Sequence, residues 1–379
     1  MMPIVPPAWL GVLGGGQLGR FFVLAARSMG YRVAVLDPHE DSPAGALADR
    51  HVVAAYEDPR ALDELARLCA AVTTEFENVP ADSLARLAGR VRIAPSADCV
   101  RIAQDRISEK AAIRALGLAV GPYTPVEHAG DLERPQLYPA VLKTARLGYD
   151  GKGQAVVSSA AEAAQAWERF RRVPCVLEQR LELEREVSAI VARGASGETR
   201  VFALAENRHR NGILDVSSVP ARVGARLAAE AEQTAARLAT GLGYEGVLGV
   251  EFFVVEGRLL VNEIAPRPHN SGHYTMDACA SSQYAQQVRA LCGLPLGDER
   301  LLSPAAMVNV LGEAWPQDGE PGWAELLAEP RLHLYLYGKS SAQPGRKMAH
   351  FTVLDADAAK ALERALELRA KLGIGSGER

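Results

Sequence analysis

Two rhythms of apolar and polar positions alternate over roughly the first 95 residues. The runs Leu10 to Leu13, Tyr31 to Leu36 and Ala71 to Phe76 are short and apolar, and they are separated by stretches whose apolar residues recur at helical spacing. Gln17 to Ser28 is the first such stretch, entered through the tight turn Gly14-Gly15-Gly16 and closed by Gly30. Strand, turn, helix and strand make a β-α-β unit, so the pattern predicts an α/β chain that opens with a Rossmann-like parallel sheet. Pro95-Ser96 begins a new region. There the pattern predicts a helix over Ala103 to Leu116, strands over Tyr138 to Thr144, Val176 to Gln179 and Glu186 to Ala192, and an Ala-rich amphipathic helix over Ala225 to Leu242. Two apolar strands follow, Val247 to Val255 and Leu259 to Ile264, joined at Glu256-Gly257-Arg258, and then a helix over Ser281 to Leu291. A smaller C-terminal region starts near Pro304, with strand-like segments within Leu332 to His350 and a helix over Ala356 to Leu372. We expect three parts: 1–98, 99–300 and 301–379.

Composition narrows the class without naming a function. At 379 residues, with 48% hydrophobic and 23% charged residues, the chain reads as an ordinary globular protein too long for one core. A net charge of -4 argues against nucleic acid as its main partner. No apolar run approaches the roughly 20 residues that cross a bilayer, and the N-terminus lacks the basic start of a signal peptide. The five cysteines are scattered, with no C-x-x-C pair, and read as reduced thiols of a cytoplasmic protein.

The residues that break the apolar pattern carry the chemistry. Glu251 and Glu263 each sit in an otherwise apolar strand, where an unpaired carboxylate costs on the order of several kcal/mol. A two-residue turn at Glu256-Gly257 would set Glu251 opposite Asn262, whereas a three-residue loop ending at Arg258 sets it opposite Glu263. We take the second register, which gives two facing carboxylates beside the Asn262 amide: an oxygen site suited to Mg²⁺, with Mn²⁺ as the alternative. Just beyond Glu263 come Arg267, His269, Asn270, Ser271 and His273, polar residues past a strand end.

Several other stretches could hold anions. Gly14, Gly16 and Gly19 match G-x-G-x-x-G, and Asp37 lies near where a ribose-binding acid would fall. The motif says only that backbone N–H groups at a helix start can hold a phosphate, of a dinucleotide or of a sugar phosphate. Glu75 and Glu77 end a parallel strand and can face the same crevice, although Glu77 also suits a helix start. Lys143 sits among apolar neighbours and should aim at an anion. Directly after it, RLGYDGKGQ supplies Gly148, Gly151 and Gly153 for a mobile loop over phosphates, with Lys152 as a point charge. Glu178 ends a strand and Glu186 opens one, and either can read a nucleotide's amino or hydroxyl groups. Lys339, Arg346 and Lys347 surround a Pro-Gly turn near the C-terminus.

Taken in order, GGGQLGR, EFENV, RLGYDGKGQ, NEIAPRPHNSGH and the YGK…QPGRKMAH stretch resemble the ATP-grasp carboxylate-amine ligases, and among them the N5-carboxyaminoimidazole ribonucleotide synthases. Two departures stand out: Gln343 stands where the family pattern has Arg, and Ala349 where it has Gly. The resemblance implies a central ATP-grasp domain between the Rossmann-like sheet and a small C-terminal domain. It also implies use of ATP and bicarbonate, through carboxyphosphate, to carboxylate 5-aminoimidazole ribonucleotide, commonly by a homodimer. By the same resemblance, Arg106, Lys143, Gly148 to Gln154, Glu178 with Gln179, Arg180 and Leu181, Glu186, His209, Asn262 and Glu263 surround ATP. Gly16, Gln17, Leu18, Glu75, Glu77, Tyr149, Lys339, Arg346 and Lys347 meet the ribonucleotide, and Glu251 with Glu263 holds the metal. Arg267, His269, Asn270 and Asp150 act at the reacting groups. Three rivals are weighed: a formate-using glycinamide ribonucleotide transformylase, an NAD-dependent dehydrogenase and a nucleotide-binding module without turnover.

Overall fold

The structure is a computed structural model that describes residues 2–148 and 151–374. Its first part alternates strand and helix: β1 (Trp9–Leu13), α1 (Gln17–Ser28), β2 (Arg32–Asp37), β3 (Arg50–Val53), α2 (Pro59–Leu68), β4 (Ala71–Thr74), α3 (Ala81–Ala88) and β5 (Arg92–Ile93). The strands form a parallel sheet in the order β3-β2-β1-β4-β5. Both faces are covered, which is why the strands read as continuous apolar runs. Val33 and Val35 pack with Leu10, Val12 and Phe22 on one side, and Ala34 and Leu36 with Leu62, Leu65 and Leu84 on the other. The chain leaves β1 in both directions along the sheet, so the crevice lies at the carboxyl end of β1 and β4.

The helix expected over Ala103 to Leu116 starts later, as α5 (Arg106–Ala115), and a separate helix, α4 (Ala97–Ala103), precedes it. The break falls at Asp105, whose carboxylate accepts from Ile107 N at 3.0 Å and Ser108 N at 3.1 Å and so starts a new helix. This puts Arg106 in the first turn of α5. β6 (Tyr123–Val126), β7 (Ala140–Thr144), β8 (Gln154–Val157) and β9 (Cys175–Gln179) form a small antiparallel sheet, order β6-β9-β7-β8, against α6 (Ala160–Arg169).

The larger antiparallel sheet contains β10 (Arg185–Arg193), β11 (Thr199–Val201), β12 (Ala205–Arg210), β13 (Ile213–Val219), β14 (Gly246–Val255) and β15 (Arg258–Ala265). The helix α7 (Ala225–Gly241) lays Ala231, Ala235 and Leu238 against Val187, Val191, Leu248 and Val250. Beyond it come α8 (Thr275–Ala278) and α9 (Gln283–Leu291). The C-terminal elements β16 (Ala305–Leu311), α10 (Trp323–Leu327), β17 (Leu332–Leu336), β18 (Lys347–Leu354) and α11 (Ala358–Lys371) do not build a separate sheet. β16 pairs with β13, so the order runs β15-β14-β10-β12-β13-β16-β18-β17. Among the described residues no helix is long and apolar enough to cross a membrane.

α9 ties the parts together. Tyr284, Val288 and Leu291 share a core with α1 and β1 of the parallel sheet. Gln287 donates from Nε2 to Thr73 Oγ1 at 2.9 Å and accepts at Oε1 from Val247 N at 2.6 Å, joining both sheets through one buried side chain.

Candidate active site

The β14–β15 hairpin closes by a two-residue turn. Val255 pairs with Arg258, and Glu256 and Gly257 both have positive φ, 49° and 67°. The expected three-residue loop is therefore wrong, because Arg258 is the first residue of β15. Glu251 nonetheless lies opposite Glu263, for another reason. The ladder runs regularly to Phe252↔Val261 and then slips by one residue to Glu251↔Glu263. Asn262 is the extra residue of a β-bulge. Without it, this turn would set Glu251 against Asn262 and send Glu263 to the far face. The Asn262 Oδ1 atom is buried without a hydrogen-bond partner, which leaves an amide oxygen beside two carboxylates, a donor set that suits a hard cation.

A basic side chain meets each carboxylate. Arg106 donates from Nη1 to Glu263 Oε2 at 2.7 Å, and His269 Nε2 lies 3.3 Å from Glu251 Oε1. Burial opposes ionisation of Glu251, but His269 and then His209 outweigh it and hold the carboxyl down at about 2. Glu263 is likewise lowered, since Arg106 outweighs both burial and the neighbouring Glu251. Lys143 Nζ is 2.9 Å from Glu178 Oε2, with Lys110 Nζ 3.2 Å from the other oxygen. Lys143 thus finds the anion its apolar setting required. His209 Nδ1 meets Glu186 Oε2 at 2.9 Å. Burial would lower the imidazole's pKa, yet Glu186, with Glu251 and Glu263 behind it, raises it to about 9.

Past the strand end, Arg267 donates from Nε to Glu77 Oε2 at 2.5 Å, so Glu77 faces the crevice rather than starting a helix. Asn270 is buried with neither side-chain atom hydrogen-bonded. The His269 ring is pinned between Glu251 and Ser271 Oγ, 2.8 Å from Nδ1, while its backbone N–H donates to Gln283 Oε1 at 2.8 Å. It packs so closely on β14 that a Cβ at Gly249 would fall 2.8 Å from its own Cβ.

At the glycine turn the protein supplies its own anions. Glu75 accepts from Gly16 N at 2.9 Å and Gly19 N at 3.0 Å, and Asp37 accepts from Gly15 N at 2.7 Å. These amides, which the sequence suggested for a phosphate, are satisfied by side chains. Asp37 also receives the Tyr56 hydroxyl at 2.9 Å and is buried, so it is a structural acid rather than a ribose ligand.

Each part of the chain matches a known family. Residues 8–104 match the ribonucleotide synthetase preATP-grasp domain, residues 111–284 the ATP-grasp domain and residues 305–364 the phosphoribosylaminoimidazole carboxylase C-terminal domain. The N5-carboxyaminoimidazole ribonucleotide synthase of Bacillus subtilis is 45% identical over 356 residues, 93% of this chain and 92% of that protein. The chain belongs to the N5-carboxyaminoimidazole ribonucleotide synthases. Among solved structures, the ADP complex of one such synthetase superposes with a TM-score of 0.91 at 43% identity, covering 97% of each chain. The Aspergillus clavatus synthase in complex with ADP and 5-aminoimidazole ribonucleotide gives a TM-score of 0.88 at 31% identity, covering 97% of this chain and 98% of that one. This synthase is therefore an ATP-grasp ligase of purine biosynthesis, not a dehydrogenase.

The other expected site residues of the synthase lie as follows. The Gln179 and Arg180 amides donate to the carbonyls of Pro122 and Pro139, Leu181 is half-buried near Gly121, and the Arg180 side chain is exposed. Arg106 reaches from Nη2 to the Gly148 carbonyl at 3.1 Å. Gly151 packs on Asn211 of the β12–β13 turn, Gly153 packs on Thr144, and Lys152 and Gln154 are exposed. Tyr149 and Asp150 lie outside the described residues. Gln17 is half-buried at the start of α1, whereas the Leu18 side chain lies in the core. Lys339 donates to the Lys347 carbonyl at 2.5 Å, and Arg346 to the Ser341 carbonyl at 2.9 Å. The Gln343 carbonyl receives Arg346 N, and Ala349 is fully buried in β18.

Two site residues escaped the sequence reading. Lys110 and Glu109 are both nearly inaccessible. Glu109 accepts from Ile264 N at 2.6 Å, and burial followed by Glu263 pushes its carboxyl up to about 8. The signal was present: 106, 109, 110 and 113 share one face of α5, and Ile113 is core.

Proposed function

We propose that this constellation phosphorylates bicarbonate with ATP and passes the resulting carboxyphosphate to the exocyclic amine of 5-aminoimidazole ribonucleotide, giving N5-carboxyaminoimidazole ribonucleotide, ADP and phosphate. The observation that carries the reading is the bulge at Asn262, which turns Glu251 and Glu263 to one face, with His269 against Glu251 and the Arg267 charge acting on Glu263. Glu251, Glu263 and the unpaired Asn262 oxygen would hold Mg²⁺, or Mn²⁺ in its place. When bound there, the cation offsets charge on the phosphates as the γ-phosphoryl group moves.

The chain's own groups divide the remaining work. Lys143 and Lys152 hold the triphosphate as point charges, and the glycine-rich loop excludes water, which preserves a hydrolysable acyl phosphate. Arg106, paired with Glu263, adds positive charge at the same place. Glu186 keeps His209 charged beside the nucleotide. Arg267, oriented by Glu77, presents a planar guanidinium to bicarbonate and carboxyphosphate. Asn270, with both amide atoms unpaired, orients the same anion, and His269 holds or moves a proton at its Nε2. Asp150 and Tyr149 meet the aminoimidazole. Gln17, Lys339, Arg346 and Lys347 fix its ribose phosphate.

The test is ADP release from Mg²⁺-ATP and bicarbonate, with and without 5-aminoimidazole ribonucleotide, with formate plus glycinamide ribonucleotide as control. Stimulation by the aminoimidazole nucleotide alone is expected. Glu263→Gln should fold as the parent does and lose at least roughly 100-fold in kcat. Turnover near the parent rate in that variant would sink the assignment.

A further inference from the structure

Among the described residues, Arg20 is a cation that no carboxylate pairs with. It lies on α1 three residues after Gln17, so the two share a helix face. Its guanidinium is half-buried and donates from Nη1 to the Pro43 carbonyl at 3.3 Å. Burial lowers its pKa, and no acidic partner counters that shift. With Nη1 on a carbonyl and no carboxylate paired to it, the guanidinium keeps N–H donors available to an anion.

The surroundings indicate which anion. Gly338, immediately before Lys339, lies so near that a Cβ there would sit 3.8 Å from Arg20 Nη1. Lys339 is half-buried, with its ammonium 5.5 Å from the Tyr337 ring centroid, and its Nζ reaches the Lys347 backbone. The next residue after Arg20 locks this meeting in place. Phe21 packs edge-on to Tyr335 at 5.6 Å, Tyr337 at 5.9 Å and His350 at 5.6 Å. The first turns of α1 are therefore fixed against the β17–β18 segment by an aromatic cluster. Asp41, the acid at this segment, hydrogen-bonds Ser340 and faces Arg346 rather than Arg20.

We propose that Arg20 is a further substrate-binding residue, whose guanidinium meets the 5′-phosphate of the aminoimidazole ribonucleotide from the N-terminal side while Lys339, Arg346 and Lys347 meet it from the C-terminal side. The inference rests on the assignment of those three residues to the phosphate. It adds a consequence: one phosphate ties α1 to the C-terminal strands and selects nucleotide over nucleoside.

The experiment measures the Michaelis constant for the aminoimidazole ribonucleotide and the inhibition constant for its dephosphorylated ribonucleoside, with the parent enzyme, Arg20→Gln, Arg20→Lys and Lys339→Gln. A charge-assisted hydrogen bond contributes enough that Arg20→Gln should raise the nucleotide KM by roughly 10- to 100-fold. The nucleoside constant should move less than about twofold, and Arg20→Lys should recover part of the loss. A nucleotide KM within about twofold of the parent in Arg20→Gln overturns the proposal, as does an equal loss for nucleotide and nucleoside. Lys339→Gln separates the two readings. If it weakens the nucleotide and Arg20→Gln does not, Arg20 alone is refuted; if neither does, the phosphate assignment itself falls. Should Arg20→Gln fail to fold, Arg20→Lys decides by the same comparison.

Discussion

A few side chains set the electrostatics of the site, and each makes an expectation that can be checked singly. The Glu186–His209 pair is one. Burial alone would lower the imidazole's pKa below an ordinary 6.5, but Glu186 outweighs it and the value is raised to about 9. The raised value means that the pair stabilises the fold fully below pH 6.5 and that this contribution is lost as pH rises through about 9. Glu186→Gln should lower the His209 pKa by at least about one unit in an NMR titration and flatten the stability profile over that window. An unmoved titration would show that Glu251 and Glu263 alone hold the charge. Gly249 is the second case. A methyl group there would collide with His269 Cβ and Cγ, at 2.8 and 2.9 Å. Gly249→Ala should therefore displace a ring that contacts Glu251 and lower kcat by roughly tenfold or more, while thermal melting shows a folded protein.

At the scale of the element, the β14–β15 hairpin shows how register can follow from something other than the loop. The turn is the shortest kind and by itself gives the wrong pairing; the bulge at Asn262 restores the right one. Glu256 occupies a left-handed conformation, φ 49°, that a side chain of its kind tolerates poorly. Glu256→Asn would create an Asn-Gly turn suited to those angles. It should raise the unfolding free energy by about 0.5–1 kcal/mol in urea denaturation and leave kcat unchanged, since the turn does not position the carboxylates. A change in kcat would mean that turn and bulge are coupled. The break at Asp105 acts in the same way: an acid within a helical pattern captured the amides of Ile107 and Ser108 and set Arg106 at the head of α5.

Over the whole molecule, the site exists because three parts are held at one crevice, and Gln287 is a fully buried joint between the parallel sheet and β14. Gln287→Leu keeps the volume but strands Val247 N and Thr73 Oγ1. It should cost about 2–4 kcal/mol in denaturant unfolding and raise the KM for the ribonucleotide, whose proposed binding groups come from both sides of the joint. A loss of stability with an unchanged KM would confine its role to packing. The hydrophobic pattern, read locally, was enough to determine the β-α-β start and the strands that carry Lys143, Glu178, Glu251 and Glu263, and the clustered motifs were enough to show a resemblance to the ATP-grasp ligases. Each of those depends on periodicity or on residues adjacent in the chain. The partners of those residues were not determined that way. Arg106 with Glu263, Arg267 with Glu77, Lys110 with Glu178 and Arg20 beside Gly338 join positions far apart in sequence, and an ion pair leaves no periodic trace in the chain. The joining of the C-terminal strands to the central sheet through β13 and β16 was equally invisible, since strand pairing at that separation is chosen by the burial of a shared core. Only the tertiary structure decided which charges meet, because desolvation makes each buried carboxylate accept whichever cation the fold delivers to it.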